Sequence, residues 1–215
     1  QRRQSSQTSS GVGMLDLTSP VSNLDQLHAQ ACGLDPILRQ KVQGWALASK
    51  GMFPQHSEQD TGHNQDQKFV RWEEVADSVT ERARIKWGQV KSPDRAIEKL
   101  LRSYRQDVSR LVDMCRQQIV FSSLDDLLQC MHAIGADGEA VVVRVKNKMK
   151  LDYNSAESAG YRDVSLNIRL ENEEACALGL AGHVCEVQLQ LLEFAQLKNY
   201  DGHQRYVSYR NVRAE

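Results

Sequence analysis

Four basic residues have types and spacings that suit a phosphate-binding site. Lys91 and Lys99 stand eight positions apart at the start of a predicted helix, and Arg144 and Lys146 lie two positions apart in the run VVVRVKNKMK. Residues two apart on a strand point to the same face of a sheet, as cations that share a di- or triphosphate must. A solvated strand face would have the same spacing. The pattern leaves both interpretations open.

Two carboxylates lie inside apolar runs. Asp113 is in LVDMC, and Glu186 is in VCEVQL. A carboxylate in apolar surroundings is unfavourable unless it is paired, hydrogen-bonded or bound to a metal ion. Strand alternation also allows Glu186 to face solvent, so the spacing alone does not decide its environment.

The first 67 residues differ in composition from the rest of the chain. Their main apolar segment is LDPILRQKVQGWALASKG, in which Asp35 and Pro36 predict the start of a short amphipathic helix. A further helix across Leu24 to Ala31 would precede it. The polar run from Pro54 to Gln67 has no apolar periodicity and predicts a solvated linker.

These features predict two parts of the chain. Residues 1–67 form a flexible N-terminal extension with a short amphipathic helix, and residues 68–215 form the main domain. Trp45 in the extension would dock on the main domain or on a partner, which makes residues 20–50 a candidate contact for other protein subunits.

The main domain alternates between helical and strand periodicity. The predicted elements are helices at 71–87 and 92–117, the latter with a break near Gln106, a strand at 118–121, a helix from 122 through 134, strands at 140–145, 161–170 and 184–189, and helices at 190–199 and 203–213. This order predicts an α+β fold with one mixed β-sheet flanked by helices.

Composition narrows the classes of function and location. The 215 residues carry a net charge of −1 and include no apolar stretch long enough for a bilayer. Nucleic-acid binding is not expected, because phosphate neutralisation normally needs a basic surplus. Five cysteines without a CxxC pair or a Cys/His cluster predict buried thiols in a reducing compartment. The opening run QRRQSSQTSSGVG suits either the remnant of an organelle transit peptide, as for a mitochondrion, or a disordered linker.

Five short motifs occur in an order that resembles a known family. They are KSPDRAIEK, LVDMCRQQIVF, RVKNKM, GYRDVSLN and CEVQLQL. In this order and at these intervals they resemble the synthetase domain of the RelA/SpoT family over about residues 91–209, with the closest likeness to its divergent eukaryotic members. The resemblance implies a nucleotidyltransferase-like fold.

The resemblance also implies an activity. Bacterial members of the family transfer pyrophosphate from ATP to the 3′ hydroxyl of GDP or GTP, which yields the alarmone (p)ppGpp. Carried over by position, Lys91 and Lys99 would contact the phosphates of ATP, and Arg144 and Lys146 would line the phosphate-binding cleft.

Three further residues would carry the chemistry of such a site. Asp113 would hold Mg²⁺, Tyr161 would stack on the guanine, and Glu186 would assist the metal or activate the acceptor hydroxyl. Transfer of this type depends chiefly on positioning and on charge neutralisation by cations and Mg²⁺, which prefers carboxylate and other oxygen ligands.

The chain also departs from the family pattern. Gln89 stands where the family has a basic residue, Arg95 where it has Ser, Ser165 where it has His, and Gln190 where it has Arg. Three lost basic groups would weaken phosphate binding and the recognition of guanosine nucleotides. Arg162 would replace one of them only if it faced the cleft, whereas its place next to Tyr161 on a strand predicts the opposite face.

Two classes of function follow. The first is a RelA/SpoT-like nucleotide-binding domain with Mg²⁺-dependent pyrophosphate or nucleotidyl transfer to a nucleotide. The second is a catalytically degenerate domain that serves as a structural or accessory subunit of a larger assembly. The retained Asp113, Lys146, Tyr161 and Glu186 favour the first, and the lost basic groups favour the second.

Overall fold

A computed structural model of the chain describes residues 21–56, 67–158 and 160–196. The first element is helix α1, Leu24–Ala48, whose N-terminus is capped by Asn23. Its buried side chains recur at helical intervals and face the core: Leu27, Ala31, Leu34, Ile37, Leu38, Val42, Trp45 and Ala46.

The prediction of a helix start at Asp35 and Pro36 was wrong, because α1 runs through both residues as one helix of 25 residues. Proline removes one N–H group from the helix interior and disfavours helix there. Asp35 is buried and ion-paired with Arg39 at 2.6 Å instead of capping a new helix. Apolar side chains on both sides of Pro36 pack into one core, and this packing outweighs the local preference.

A mixed sheet of six strands forms the centre of the domain. In chain order, the strands are β1 (Met52–Pro54), β2 (Phe69–Arg71), β3 (Arg116–Phe121), β4 (Ala140–Asn147), β5 (Val164–Leu170) and β6 (Cys185–Leu191). Their order across the sheet is β2-β1-β3-β6-β5-β4. Strands β3 and β6 are parallel, and the other neighbouring pairs are antiparallel.

Helices flank this sheet. After α1, the helices are α2 (Trp72–Val75), α3 (Val79–Ala83), α4 (Pro93–Ser103), α5 (Leu124–Ala136), α6 (Glu173–Ala177) and α7 (Leu192–Gln196), and short 3-10 turns occupy Val108–Arg110 and Ser155–Ser158. The structure therefore confirms the predicted α+β fold with a mixed sheet flanked by helices.

Alternation along the strands gives the sheet two different faces. In β5, the buried Val164, Leu166 and Ile168 join the same apolar core as residues of α1 and α5, whereas Ser165 and Asn167 lie on the opposite face. The core therefore holds α1 and α5 on one face of the sheet, and these polar residues are left on the other.

Two predicted helices are broken in the structure. The segment 71–87 contains only the short helices α2 and α3, since Ile85 forms a β-bridge with Gln55. In the segment 92–117 the break near Gln106 is confirmed, but no α-helix follows it. Arg105 and Gln106 adopt left-handed backbone angles, with φ of 51° and 66°, and the chain then enters β3.

The described part of the predicted extension is packed against the main domain. Strand β1 pairs with β3, and the buried Trp45 donates its Nε1–H to Asp137 Oδ2 at 2.9 Å. The division at residue 67 remains a prediction about chain organisation. Most of the predicted linker, the end of the predicted helix 190–199 and the predicted helix 203–213 lie outside the described residues.

None of the helices in the described ranges combines the length and the apolar composition that a membrane span requires.

Candidate functional site

The side chains opposite the apolar core form what we call the polar face of the sheet. Strand register places the following residues on it: Arg116 and Gln118 of β3, Glu186, Gln188 and Gln190 of β6, Ser165 and Asn167 of β5, and Arg144 and Lys146 of β4. Three of the predicted site residues, Arg144, Lys146 and Glu186, are thus on one surface of the sheet.

The segments that flank α4 bring three predicted residues together. Lys91 and Lys99 both contact Asp113 Oδ2, with the Lys99 Nζ at 2.8 Å. Only about a tenth of the Lys91 and Asp113 side chains is exposed. The predicted need of Asp113 for a partner is therefore met by two lysines.

Local sequence explains this arrangement. Helix α4 begins directly after Lys91, where Ser92 accepts a hydrogen bond from the Arg95 backbone N–H and Pro93 occupies the first turn. Lys99 lies within α4, and its ammonium group is also 5.1 Å from the centre of the Tyr104 ring. The start of α4 thus determines where both lysines reach Asp113.

The charges in this ion triad are strongly coupled. Burial alone would raise the pKa of Asp113, but the charges of Lys91 and Lys99 outweigh it and lower that pKa to about 2. Burial lowers the pKa of Lys91 to about 8, although Asp113 opposes the shift. For Lys99, the charge and the hydrogen bond of Asp113 more than offset burial, so its pKa is raised.

Glu186 lies on the polar face near this triad. Burial raises its pKa, and the negative charge of Asp113 raises it further. Gln188 donates its Nε2–H to Glu186 Oε1 at 2.7 Å, and Arg116 stands beside Glu186 in the parallel register of β3 and β6. The prediction left open whether Glu186 faces solvent, and the structure places it half-buried on the charged side of the sheet.

Arg144 and Lys146 extend the positive charge to the edge strand β4. Arg144 is held by Asn167, whose Oδ1 accepts from Nε at 2.8 Å, while the amide of Asn167 donates to Val112 O. Partial burial and the charges of Arg144 and Lys148 lower the pKa of Lys146. As the two-residue spacing predicts, Arg144 and Lys146 share a face.

We call the interacting residues on this side of the sheet the charged cluster. They are Lys91, Lys99, Asp113, Arg116, Arg144, Lys146, Lys148 and Glu186. Charges within this set contribute to the pKa shifts of Lys91, Lys146 and Glu186. Cations outnumber carboxylates in this set. The arrangement can bind a polyanion, with two carboxylates beside it.

Tyr161 takes part in a hydrogen-bond network that shares Lys148 with the charged cluster. Gln190 donates to the Tyr161 hydroxyl, and the ammonium group of Lys148 lies 5.2 Å from the ring centre. Lys148 also pairs with the fully buried Asp163 at 2.8 Å, and Ser165 donates to the other oxygen of Asp163 at 3.1 Å. Burial and the charge of Asp163 raise the pKa of Tyr161. The hydroxyl group of Tyr161 and one face of its ring thus already have partners.

The departures from the family pattern have distinct structural places. Ser165 and Gln190 are buried in the Tyr161 network, whereas Gln89 and Arg95 are exposed. Arg162 does not replace a lost cation of the cluster. Its guanidinium group donates to the carbonyl oxygens of three residues in the loop that follows β4: Lys148, Lys150 and Tyr153.

Sequence reasoning missed four residues of this site. Arg116, Lys148, Asp163 and Asn167 were not singled out, although Asn167 and Ser165 alternate with apolar residues in VSLNIRL. That alternation, placed beside the same pattern in CEVQLQL, was the available signal for a second polar face.

The donor set fits a magnesium ion that is shared with a substrate. Within the described residues there is no group of three or more His, Cys, Asp or Glu side chains that could hold a metal by itself. However, Asp113 Oδ1 is buried and has no hydrogen-bond partner among the described residues, and Glu186 lies close enough for the charge of Asp113 to raise its pKa. Mg²⁺ commonly uses one or two carboxylates together with substrate phosphates.

Comparisons with known proteins identify the fold. No protein-family model matches the chain, and no curated protein sequence is significantly similar to it. Small alarmone synthetase 1 from Bacillus subtilis, bound to its product pppGpp, is similar in structure with a TM-score of 0.57 at 15% identity, over 87% of this chain and 81% of that one.

Two further solved structures agree. Small alarmone synthetase 2 from Bacillus subtilis has a TM-score of 0.53 at 17% identity, over 87% of this chain and 81% of its own. A GTP pyrophosphokinase family protein from Streptococcus pneumoniae has a TM-score of 0.52 at 14% identity, over 87% and 76%. These similarities confirm the RelA/SpoT-like fold that the motifs predicted.

Proposed function

We propose that this chain is a nucleotide-binding domain whose charged cluster holds the phosphates of ATP or GTP. The observation that carries the proposal is the surplus of cations around Lys146. Partial burial and the neighbouring charges of Arg144 and Lys148 lower the pKa of Lys146. Cations that repel one another are relieved by a bound polyanion. The fold shared with a synthetase that is bound to pppGpp supports a nucleotide as that polyanion.

Lys91 and Lys99 would neutralise phosphate charge at the α4 side of the cluster, and Arg144 and Lys146 would do so at the β4 side. Asp113 and Glu186 would hold Mg²⁺, which when bound adds charge neutralisation on the phosphate oxygens. Asp113 Oδ1, which has no hydrogen-bond partner in the described part of the chain, is the atom of the cluster that most needs such a partner.

If the domain is catalytic, the reaction that suits the site is pyrophosphate transfer. The acceptor hydroxyl oxygen of a guanosine nucleotide forms a bond to the β-phosphorus of ATP, the bond from that phosphorus to the α,β-bridging oxygen breaks, and AMP leaves. Glu186 takes the proton of the hydroxyl, and its raised pKa suits a general base. By its position in the motif GYRDVSLN, Tyr161 would stack on the guanine.

A second candidate is a catalytically degenerate domain that serves as an accessory subunit of a larger assembly. One observation favours it: Ser165 and Gln190, which replace family basic positions, are buried in the network that engages Tyr161. Residues 20–50 would contact other subunits in this case. Most apolar side chains of α1 are buried in the core, but Leu47 is 55% exposed.

Isothermal titration of the protein with ATP and GTP, with and without Mg²⁺, separates these proposals. We expect binding that is tighter with Mg²⁺ and that weakens about tenfold in Lys99→Ala, as loss of one phosphate contact implies. Lys68→Ala, which removes an exposed lysine at the start of β2, is the matched control.

The same samples, incubated with ATP and GDP, test turnover by anion-exchange separation of the nucleotides. Formation of AMP together with a more highly phosphorylated guanosine nucleotide supports the transferase. Binding without AMP formation supports the degenerate domain, and no binding of either nucleotide overturns the nucleotide proposal.

A further inference from the structure

The segment 86–91 carries Lys91 to the charged cluster, although it has no regular secondary structure. Backbone hydrogen bonds hold its two ends: Lys86 N–H donates to Pro54 O, and Lys91 N–H donates to Met114 O, each at 2.8 Å. In the middle of the segment, the backbone N–H and C=O of Gly88 form hydrogen bonds with a side chain. The position of Lys91 therefore depends on that side chain as well as on the backbone.

Gln117 of β3 supplies both hydrogen bonds to Gly88. Its Oε1 accepts from Gly88 N–H at 2.9 Å, and its Nε2 donates to Gly88 O at 3.1 Å. The carboxamide thus pairs with Gly88 as a neighbouring peptide group would. Gln117 is only 3% exposed, so little water competes for these bonds.

Asp35 of α1 orients this carboxamide. The second N–H of Gln117 donates to Asp35 Oδ1 at 2.8 Å, and Arg39 holds the other oxygen of Asp35 at 2.6 Å. An ionised carboxylate can only accept, so the nitrogen of the carboxamide must face Asp35. The oxygen is then left to face Gly88 N–H, and both ends of the Gln117 carboxamide are engaged.

The segment also lies too close to β3 for any other residue at position 88. A Cβ on Gly88 would lie 2.5 Å from Arg116 O and 3.1 Å from Gln117 Oε1. Because Arg116 O is backbone, it cannot move aside as a flexible side chain would. A side chain at position 88 would therefore displace the segment that leads to Lys91.

We propose that Gln117 is a positioning residue of the nucleotide site: its carboxamide, oriented by Asp35, holds Gly88 and thereby fixes Lys91 against Asp113. This inference rests on the proposed function, because that function assigns Lys91 to the phosphates. It adds a buried connection from α1, on the apolar side of the sheet, to the charged cluster on the other side.

Gln117→Met tests the proposal, because methionine has a similar length and makes none of these hydrogen bonds. We expect the backbone amides of Gly88 and Lys91 to exchange hydrogen at least about tenfold faster, and ATP affinity to fall roughly tenfold, as for the loss of one phosphate contact. Unchanged exchange at both amides would overturn the proposal.

Asp137→Asn is the matched control. Asp137 also anchors α1, through Lys41 at 2.9 Å and Trp45 at 2.9 Å, but within the described residues none of its hydrogen bonds reaches the segment 86–91. We expect lower stability in this variant with unchanged relative exchange at Gly88 and Lys91 and unchanged ATP affinity. Equal losses of affinity in both variants would mean that Gln117 only stabilises the fold.

Gly88→Ala perturbs the same segment while it leaves Gln117 and Asp35 in place, and it decides the matter if Gln117→Met does not fold. We expect ATP affinity to fall roughly tenfold in Gly88→Ala by itself, and an unchanged affinity would overturn the proposal. Where Gln117→Met also folds, we expect no further loss in the double variant. Full additivity would overturn the proposal. If the wild-type protein binds no nucleotide, the proposed function fails, and the exchange rates still report whether Gln117 holds the segment.

Discussion

At the scale of the residue, Asp113 shows how one carboxylate organises the site. It is buried, and it balances two lysines that are themselves largely removed from water. Removing one partner of a buried ion pair leaves the other charge uncompensated, which is more unfavourable than losing an exposed pair. Asp113 is therefore needed for stability as well as for the proposed metal site.

The substitution Asp113→Asn should lower the free energy of unfolding by about 3 kcal/mol, because Lys91 and Lys99 lose their counter-charge in a buried place. Urea denaturation at neutral pH measures this change. Asp77→Asn, at an exposed aspartate, should change it by less than about 0.5 kcal/mol. Similar small effects in both variants would contradict the ion triad.

Some residues of the site were predictable from sequence, and others were not. Lys91, Lys99, Asp113, Arg144 and Glu186 drew attention because a charge next to an apolar run or at a helix start has few explanations. Gln117 lies within the motif LVDMCRQQIVF, but it carries no charge and was assigned no role there. Its role depends on Asp35, which is 82 positions away in the chain, and such a contact is set by tertiary packing.

At the scale of the element, α1 shows tertiary packing overriding a local signal. Asp35 followed by Pro36 is a good helix start, yet the helix continues through it. The prediction failed because a capping signal describes only the nearest residues, whereas Leu34 and Ile37, on either side, are both buried in the common core. By contrast, the start of α5 was predictable. The Ser123 hydroxyl accepts a hydrogen bond from the Asp126 backbone N–H and donates one to the Asp126 carboxylate, so the two residues together cap the helix.

Two glycines near the C-terminal end of α1 should respond to alanine in opposite ways. A Cβ on Gly44, within the helix, would have no neighbouring atom of the described residues within 4 Å, whereas one on Gly51 would lie 2.6 Å from Ile119 Cγ2. Gly44→Ala should raise the free energy of unfolding by about 0.5–1 kcal/mol through helix propensity.

Gly51→Ala should lower the same quantity by about 1–3 kcal/mol, because the added methyl group overpacks the core between α1 and β3. Thermal unfolding of both variants under one set of conditions provides the comparison. A stabilising Gly51→Ala would show that the end of α1 does not pack on β3 as described.

At the scale of the whole molecule, a buried histidine links the start of β6 to helix α1. His183 is 4% exposed, and its Nδ1 lies 3.3 Å from Gln30 Oε1. Within residues 21–56, 67–158 and 160–196, its Nε2 has no hydrogen-bond partner. Burial lowers its pKa from 6.5 to about 4. His183 thus connects the sheet to α1 in its neutral form.

This lowered pKa predicts how stability depends on pH. The unfolded chain binds a proton at His183 below pH 6.5, whereas the folded chain does so only near pH 4, so acidification favours unfolding across that window. Protonation of His183 lowers the free energy of unfolding by roughly 3 kcal/mol at most. His183→Gln removes this titration. The unfolding free energy of the wild type minus that of His183→Gln should therefore be constant above pH 7 and should decrease as the pH falls from 6.5 to 4. A difference that is constant over the whole range would contradict this account.

The order of elements was largely predictable from periodicity, and the architecture followed from that order. Strand β1 was missed, because Met52–Pro54 is only three residues long and ends in a proline. It becomes a strand because β3 and β2 offer it partners on both sides. Strand pairing of this kind cannot be inferred from so short a segment alone.

If the charged cluster holds nucleotide phosphates, ATP affinity depends on the cations of β4, and one binding experiment decides whether it does. ATP affinity should be measured by isothermal titration, with Mg²⁺, for the wild type, for Arg144→Ala/Lys146→Ala and for Lys68→Ala. We expect the wild type and Lys68→Ala to bind ATP alike, and the double variant to bind it about a hundredfold more weakly, since two phosphate contacts are lost. Equal affinities in all three proteins, or no binding by the wild type, would contradict it.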